Sequence, residues 1–486
     1  MYPKGNNQKK LIKLIMIYIV MGFVIFSIVT LIFMFVLGYR FDRNKGQIEQ
    51  YSFLQFDSSP TGATVTVNGN LISAKTPNKT SVSAGTYNVV MQREGYEDWS
   101  KTVDVKTATL VWLNYALFVP KKIKVEPVIK YDAVYSSLAS PDNRNMIIQK
   151  QSGIPNFDLI NLDSSTVRSF ELTIPNTAYS EPDTVGVSHV FDVVKWDSGE
   201  RYVLIKHTYD DKVEWLVMDT QNVSLTKNIT KLFNIAINDI YFSGTNGNDF
   251  YVSISGNLRK LNLSANTMSR VIASNVINFS VYDESSIVTY ISSGTGDNRM
   301  IGLYHDNDEA TYILRTIANK DISLKVATAH YFNEDYVVIS ENKIVDILSG
   351  SYPSDSNKNV DSLTSIGSFE SKHDIETLSF SPSGEYILVQ SGSYFVSYDL
   401  EYQIITESEV DGTGDVSSFK WLDDSYIWSD RDNNLTIREF DGKNVHSINS
   451  VLSGQSVALA YNKHFLYSIG KLDVGYQLQR VKMILN

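Results

Sequence analysis

The chain has 486 residues and no cysteine, which excludes disulfides, cysteine-ligated zinc, iron–sulfur clusters and cysteine nucleophiles. Its net charge is −11, and every acidic residue follows Arg40. This balance argues against nucleic-acid binding, which requires a basic surface. Aromatic residues make up 12% of the chain, and that share favours β-sheet.

The first predicted element is an apolar helix. Leu14 to Leu37 carries no charge and would be about 36 Å long as a helix, enough to cross a hydrocarbon core of about 30 Å. The segment is longer than the apolar core of a cleaved signal peptide, and it ends without an Ala-x-Ala cleavage site. We therefore predict an uncleaved transmembrane helix at residues 14–38.

The orientation of this helix follows from its flanking charges. Four lysines precede the apolar segment, whereas three basic residues follow it closely: Arg40, Arg43 and Lys45. The more positive flank stays in the cytoplasm. We predict a cytoplasmic tail at residues 1–13 and an extracellular location for everything after about residue 40. An intracellular scaffold with the opposite topology is the alternative.

Residues 50–120 contain short strands separated by turn residues. Phe53 to Phe56 alternates as a strand, and Ala63 to Val67 alternates again after a turn. Asn68-Gly69 then predicts a type I′ hairpin turn, because both of its positions need positive φ. A further strand is predicted at Gly85 to Met91, and a last one around Val103.

The order of these residues resembles the PEGA domain, a small β-sandwich-like module of bacterial surface proteins. Thr61 stands where that family has Glu, and Ala74 stands where Gly is common. The resemblance implies display at the cell surface and a role in binding or spacing, without catalysis. The matching positions are Ser58, Pro60, Gly62, Ala63, Val65, Val67, Asn68, Gly69, Thr76, Pro77, Gly85, Tyr87, Gly95, Tyr96 and Trp99.

Residues 121–486 repeat one pattern at intervals of roughly 40–57 residues, a period typical of β-propeller blades. In each repeat an alternating strand ends at an aromatic residue, a polar turn follows, and a second and third strand come next. The first repeat has Ala139 in place of the aromatic. The strand ends are Ala139, Trp196, Phe242, Tyr282, Phe332, Phe380, Trp421 and Tyr461.

The pattern resembles diverged WD40-like propellers, although no repeat carries a Trp-Asp or Gly-His pair. We predict eight blades, or seven if one repeat is an insertion. The last blade has only three strand candidates before the chain ends, so we predict that residues 123–129 supply its outer strand and close the ring. The fold class is therefore all-β with an N-terminal transmembrane helix. Tandem β-sandwiches are the competing fold.

Motifs with catalytic chemistry are absent from the sequence: there is no His-Glu-x-x-His, Gly-x-Ser-x-Gly, P-loop or Gly-x-Gly-x-x-Gly. The seven histidines are scattered, and His330, inside a strand, is expected in the core. Asp-rich turns at residues 306–309, 411–415 and 430–434 could offer oxygen ligands to Ca²⁺, but none has the EF-hand layout. We predict no catalytic residue, no cofactor and no metal site.

These observations predict a membrane-anchored surface protein. The single-pass helix would tether it, the PEGA-like module would act as a stalk, and the propeller would bind a protein or an envelope polysaccharide without catalysis. No nucleic-acid partner is expected. The alternative is a surface enzyme that acts on cell-wall glycan or peptide through the propeller channel, where two carboxylates about 5–10 Å apart would favour hydrolysis.

Overall fold

The computed structural model describes residues 7–36, 38–42, 46–164, 166–181, 187–282, 286–357, 362–410 and 418–485. The chain divides into two compact units. Unit 1 comprises Met1–Lys122 and Ile484–Asn486, and unit 2 comprises Ile123–Met483.

Unit 1 begins with the predicted apolar helix and continues with short strands. Residues Lys10–Val36 are long and apolar enough to cross a membrane, and the side chains of this span are not buried in the protein. The elements of this unit are α1 (Asn7–Val36), β1 (Tyr39–Asp42), β2 (Gln47–Gln50), β3 (Ser52–Ser59), β4 (Thr64–Val67), β5 (Asn70–Leu71), β6 (Asn78–Val82), β7 (Gly85–Gln92), β8 (Trp99–Val105) and β9 (Leu110–Leu117).

The strands after residue 51 form two sheets, in the orders β6-β3-β9 and β5-β4-β7-β8. Both sheets contribute side chains to one core, which contains Leu54 and Phe56 from the first and Val65 and Met91 from the second. The β-sandwich prediction is therefore confirmed. The predicted hairpin turn is confirmed too, since Asn68 has φ of 48° and Gly69 has φ of 77°.

Unit 2 is built from sequential four-stranded antiparallel sheets. Blade 1 consists of β11 (Ser136–Ala139), β12 (Asn145–Gln149), β13 (Asn156–Asn161) and β14 (Ser169–Thr173). Blade 2 consists of β15 (Val190–Trp196), β16 (Tyr202–Tyr209), β17 (Lys212–Asp219) and β18 (Lys227–Asn228), and the short helix α2 (Ile229–Phe233) follows it. Blade 3 consists of β19 (Asp239–Phe242), β20 (Asp249–Ile254), β21 (Asn257–Asn262) and β22 (Thr267–Met268), and blade 4 consists of β23 (Val276–Tyr282), β24 (Ile287–Ser293), β25 (Arg299–His305) and β26 (Tyr312–Ile317).

The remaining blades follow the same order except for the last. Blade 5 consists of β27 (Leu324–Tyr331), β28 (Glu334–Glu341), β29 (Ile344–Gly350) and β30 (Thr364–Glu370), and blade 6 consists of β31 (Thr377–Phe380), β32 (Tyr386–Ser391), β33 (Tyr394–Asp399) and β34 (Ile404–Glu409). Blade 7 consists of β35 (Lys420–Trp421), β36 (Tyr426–Ser429), β37 (Asn434–Glu439) and β38 (His446–Ser450). Blade 8 consists of β39 (Ala458–Leu459), β40 (Phe465–Lys471), β41 (Tyr476–Lys482) and β10 (Val125–Tyr131).

Within the described ranges, unit 2 therefore contains eight four-stranded sheets, which confirms the predicted blade number. The predicted closure is also confirmed, with the strand shifted by two residues. β10 pairs antiparallel with β41, and Ile129 faces Leu478 in the register. Glu126 and Arg480 add an ion pair of 3.2 Å between the two strands. The outer strand of blade 8 thus comes from the start of the propeller.

Neighbouring blades pack through apolar side chains. Ile147 and Phe157 of blade 1 share a core with Phe191 and Met218 of blade 2. At the closure, Met146 of blade 1 packs in one cluster with residues of blade 8 that include Tyr467 and Leu478. The first strands of several successive blades also contact one another. These contacts place the first strands around the axis of the ring.

The turns after the first strands of blades 1, 2 and 6 share a hydrogen-bond pattern. In blade 1 the Ser140 hydroxyl accepts from the Asn145 amide at 3.0 Å, and in blade 6 Ser381 accepts from the Tyr386 amide at 3.1 Å. In blade 2 the Asp197 carboxylate accepts from the Tyr202 amide at 2.7 Å. The sequence similarity between these turns therefore reflects one shared geometry.

Candidate functional site

The first candidate site is a concave region at the ends of the first strands, which we call the channel-mouth pocket. Its volume is about 420 Å³. It is formed by the turns of blades 1, 6, 7 and 8, which converge around the axis. Its lining includes Asp142, Asn143, Lys420, Trp421, Asp423, Asp424, Trp428, Tyr461 and Lys463.

Aromatic side chains give the channel-mouth pocket its apolar surface. Tyr461 is 60% exposed, and the guanidinium carbon of Arg144 lies 4.0 Å from its ring centroid. Trp421 is held in place because its indole N–H donates to the Ser379 hydroxyl at 3.1 Å. An exposed, fixed aromatic face beside polar groups suits the binding of a flat or sugar-like surface.

The carboxylates of the channel-mouth pocket already serve protein donors. Asp424 accepts from the Ser383 amide at 2.7 Å. Asp423 accepts from the Tyr426 amide at 2.8 Å and lies 3.4 Å from the Lys463 ammonium. Asp142 accepts from the Arg144 amide at 2.8 Å. These three groups therefore fix the turns that shape the pocket.

The second candidate site is a row of hydrogen-bonded side chains in blade 2, which we call the histidine relay. Phe191, His207 and Glu214 face one another on β15, β16 and β17, because they are partners in the strand register. His207 is fully buried, and its Nδ1 lies 3.3 Å from a Glu214 oxygen. Its Nε2 lies 2.8 Å from Nδ1 of His189. His189 Nε2 in turn lies 3.1 Å from Glu181.

The hydrogen bonds of the histidine relay depend on the number of protons that the relay carries. The three contacts joining Glu214, His207, His189 and Glu181 need one proton each to be hydrogen bonds. Two neutral imidazoles supply only two protons, and ionised carboxylates supply none. All three bonds therefore form together only when the relay carries one additional proton.

The inner end of the histidine relay is a buried carboxylate with several donors. Ser180 donates to Glu214 from its hydroxyl at 2.5 Å and from its amide at 3.0 Å. Burial acts to raise the pKa of Glu214, but the hydrogen bonds from His207 and Ser180 override it and hold the pKa at about 2. With a pKa of about 2, Glu214 is a weak base towards the Ser180 hydroxyl, so this contact gives little activation of a serine nucleophile.

A cleft of about 730 Å³ lies beside the histidine relay. Ser180 and Glu214 form part of its wall, and Lys206, Lys212 and Lys231 line it as well. Thr230 in the cleft accepts a hydrogen bond from the Trp215 amide at 3.0 Å. The cleft is polar and carries charges of both signs.

The expected position of His330 in the core is wrong. His330 lies on β27 but is exposed, with its Nδ1 2.8 Å from Asp335. The buried histidine is His207, which the sequence places near a strand end. The contact between His207 and Glu214 could have been predicted from the Asp210-Asp211 pair in the sequence. These two residues have positive φ and form a two-residue turn, which places His207 opposite Glu214.

The Asp-rich turns are held by protein donors. Asp306 pairs with the Lys260 ammonium at 2.7 Å and accepts from the Tyr251 hydroxyl at 2.6 Å. Asp430 accepts from the Gly454 amide at 2.7 Å. Residues 411–415 lie outside the described residues. Among the described residues, no group of three or more His, Asp or Glu is arranged to hold a metal ion.

The acidic side chain of Glu385 lies directly before β32 and is partly buried. Burial, followed by the nearby charges of Asp399, Glu401 and Asp424, raises the pKa of Glu385 to about 7. Because the pKa of Glu385 is higher in the folded protein than its ordinary value of 4.5, the folded state loses stability as pH rises from about 4.5 through 7.

We expect Glu385→Gln to remove this pH dependence. The variant should be more stable than the parent by about 1 kcal/mol at pH 8, a figure reduced for partial exposure, and equal to it near pH 4. Thermal unfolding of the two proteins between pH 4 and 8 measures the difference. Glu334→Gln, at an exposed position, is the control. Parallel pH curves for parent and Glu385→Gln would contradict this prediction.

The comparisons with known proteins match the two units separately. Residues 52–119 match the family model described as the PEGA domain. These residues form a PEGA domain. No curated protein matches the chain.

Similar solved structures include a Cps50 (Swd1) β-propeller domain from Myceliophteria thermophila, with 10% identity over 68% of this chain and 100% of that one, at a TM-score of 0.42. An oligogalacturonate lyase in complex with manganese matches with 9% identity, 74% and 98% coverage, and a TM-score of 0.43. A prolyl endopeptidase matches with 10% identity, 74% and 54% coverage, and a TM-score of 0.45. Because these sequence identities and TM-scores are low, the assignment of the propeller rests on the sheet topology described above.

Proposed function

We propose that this chain is a membrane-anchored cell-surface protein whose propeller binds a protein or an envelope polysaccharide without catalysis. Residues 1–13 form the cytoplasmic tail and residues 14–38 the membrane anchor. Residues 50–120 form a PEGA stalk outside the cell, and residues 121–486 form the displayed propeller. The PEGA match and the apolar helix support this organisation.

The channel-mouth pocket supports a binding role. Its exposed Tyr461 and fixed Trp421 offer a contact surface that loses little side-chain entropy on binding. The carboxylates around it are engaged by backbone amides, whereas a hydrolase needs a proton donor and a base free to meet the substrate. This difference favours binding over hydrolysis in this pocket.

We expect Tyr461→Ala to weaken binding to an insoluble bacterial cell-wall preparation by about tenfold, because an aromatic contact near the centre of an interface carries much of the affinity. The full-length protein in detergent is sedimented with the cell wall, and the bound fraction is measured against protein concentration. Phe332→Ala is the matched control, since Phe332 directly follows the first strand of blade 5 and is 75% exposed but does not line the pocket.

Other outcomes of this experiment separate the alternatives. Time-dependent release of soluble sugars or peptides from the cell wall would replace the binding role with the surface-enzyme function. Equal loss of binding in Tyr461→Ala and Phe332→Ala would show that the channel-mouth pocket is not the binding surface. Protease treatment of intact cells tests the orientation, and survival of the propeller would contradict an extracellular location.

A further inference from the structure

Arg438 is a buried cation in blade 7. It lies on β37 opposite Ile427 of β36, and only 6% of its surface is exposed. Its guanidinium carbon lies 5.3 Å from the centroid of the Phe419 ring. Burial lowers the pKa of Arg438, yet a guanidinium remains charged at any physiological pH. The fold therefore encloses a positive charge.

Within the described ranges, Arg438 has no carboxylate partner, and its Nε has no hydrogen-bond acceptor. Other arginines of the propeller differ in this respect: Arg201 pairs with Asp219, and Arg480 pairs with Glu126. The adjacent Glu439 is engaged elsewhere, because it accepts from the Tyr426 hydroxyl at 3.1 Å. An uncompensated buried charge costs several kcal/mol, so an unpaired guanidinium calls for an anion.

The surroundings of Arg438 are the layer between blades 6 and 7. Ile427 shares the face of Arg438 and packs with Leu388, Phe395 and Phe419 in one cluster. Ser397 is paired with Leu388 on β32 and β33, so it projects from the blade 6 face that meets blade 7. Ser397 is 1% exposed, and its hydroxyl also lacks a partner. Two unsatisfied donors therefore lie on the facing surfaces of these blades.

The size of the layer restricts what could satisfy these donors. The Phe395 and Phe419 rings meet at 4.8 Å, and Tyr386 of blade 6 stacks on Phe440 of blade 7 at 3.8 Å. Packing this close excludes an organic acid, so an anion that reaches Arg438 must be small. We propose that blades 6 and 7 bind a small monovalent inorganic anion such as chloride at Arg438.

The anion should stabilise the propeller, because a ligand that binds only the folded state shifts the unfolding equilibrium. Full-length protein in detergent is heated in sodium chloride or in sodium gluconate at the same ionic strength, since gluconate is too large for the layer. We expect chloride to raise the melting temperature by about 2 °C or more in a saturable manner. We expect Arg438→Met to abolish the difference between the two salts.

The matched control is Arg431→Met in the same blade. Arg431 is also largely buried, but its charge lies 3.6 Å from Asp432. This variant should keep the chloride dependence even if its melting temperature falls. A chloride effect that persists in Arg438→Met, or no chloride effect in the parent protein, would overturn the proposal.

Crystals of the unmodified protein grown in sodium bromide give a test that does not depend on a variant. An anomalous bromide peak within about 4 Å of the Arg438 guanidinium supports the proposal. A water molecule or a carboxylate of the chain in that position overturns it.

Discussion

Replacing Leu478 by alanine is expected to lower the free energy of unfolding by about 3 kcal/mol. Leu478 is fully buried on β41, between Ile129 of β10 and Ile469 of β40. Its side chain belongs to the core that joins blade 8 to blade 1. The truncation therefore leaves a cavity at the point where the ring closes, and chemical denaturation of the full-length protein in detergent measures its cost.

Leu225→Ala is the control for this experiment, since Leu225 is 55% exposed and should cost less than about 0.5 kcal/mol. A second measurement addresses the closure itself. The chain has no cysteine, so a pair introduced at Lys130 and Gln477, which face each other across β10 and β41, can form one defined disulfide. Failure of this pair to oxidise, together with a small effect of Leu478→Ala, would contradict the closed ring.

Replacing His207 by phenylalanine is expected to cost about 2–3 kcal/mol at neutral pH. The ring shape is kept, since His207 already stacks on Phe191 at 4.3 Å, but Glu214 loses one of its donors. A buried carboxylate that loses a donor is destabilising, and replacing that carboxylate by an uncharged amide removes the buried charge. The double variant His207→Phe, Glu214→Gln should therefore be more stable than His207→Phe alone.

The acid response separates this electrostatic effect from simple repacking. Glu214 has a folded-state pKa of about 2, below its ordinary value of 4.5. Its contribution to stability is thus complete above about pH 4.5 and is lost as pH falls towards 2. In His207→Phe the pKa of Glu214 should rise, so stability should depend less on pH in this window. Identical acid curves for the two proteins would show that His207 does not stabilise the carboxylate.

The propeller could be predicted from the sequence because its strands alternate and its turns repeat, which are local properties. The closing strand was predictable for a related reason: the last repeat is one strand short, and a strand near residues 123–129 had no other partner. The β3–β9 pairing of the PEGA domain was not foreseen, since parallel strands far apart in sequence leave no local signal.

The candidate sites were harder to predict than the fold. The channel-mouth pocket draws its residues from four blades, so no stretch of sequence contains it. The histidine relay joins two strands to a preceding loop, and only its His207–Glu214 contact follows from a short turn. The strand position of His330 suggested burial, but His330 lies one residue before the end of β27, where its side chain is exposed.

The closing strand also imposes an order on biosynthesis. β10 is made about 345 residues before β41, its only neighbour in the blade 8 sheet. During translation, β10 therefore has an unsatisfied edge until β41 has been made, and such edges invite pairing with other nascent chains. The pairing of β10 with β41 is a long-range contact, so we expect ring completion to be slower than the formation of individual blades.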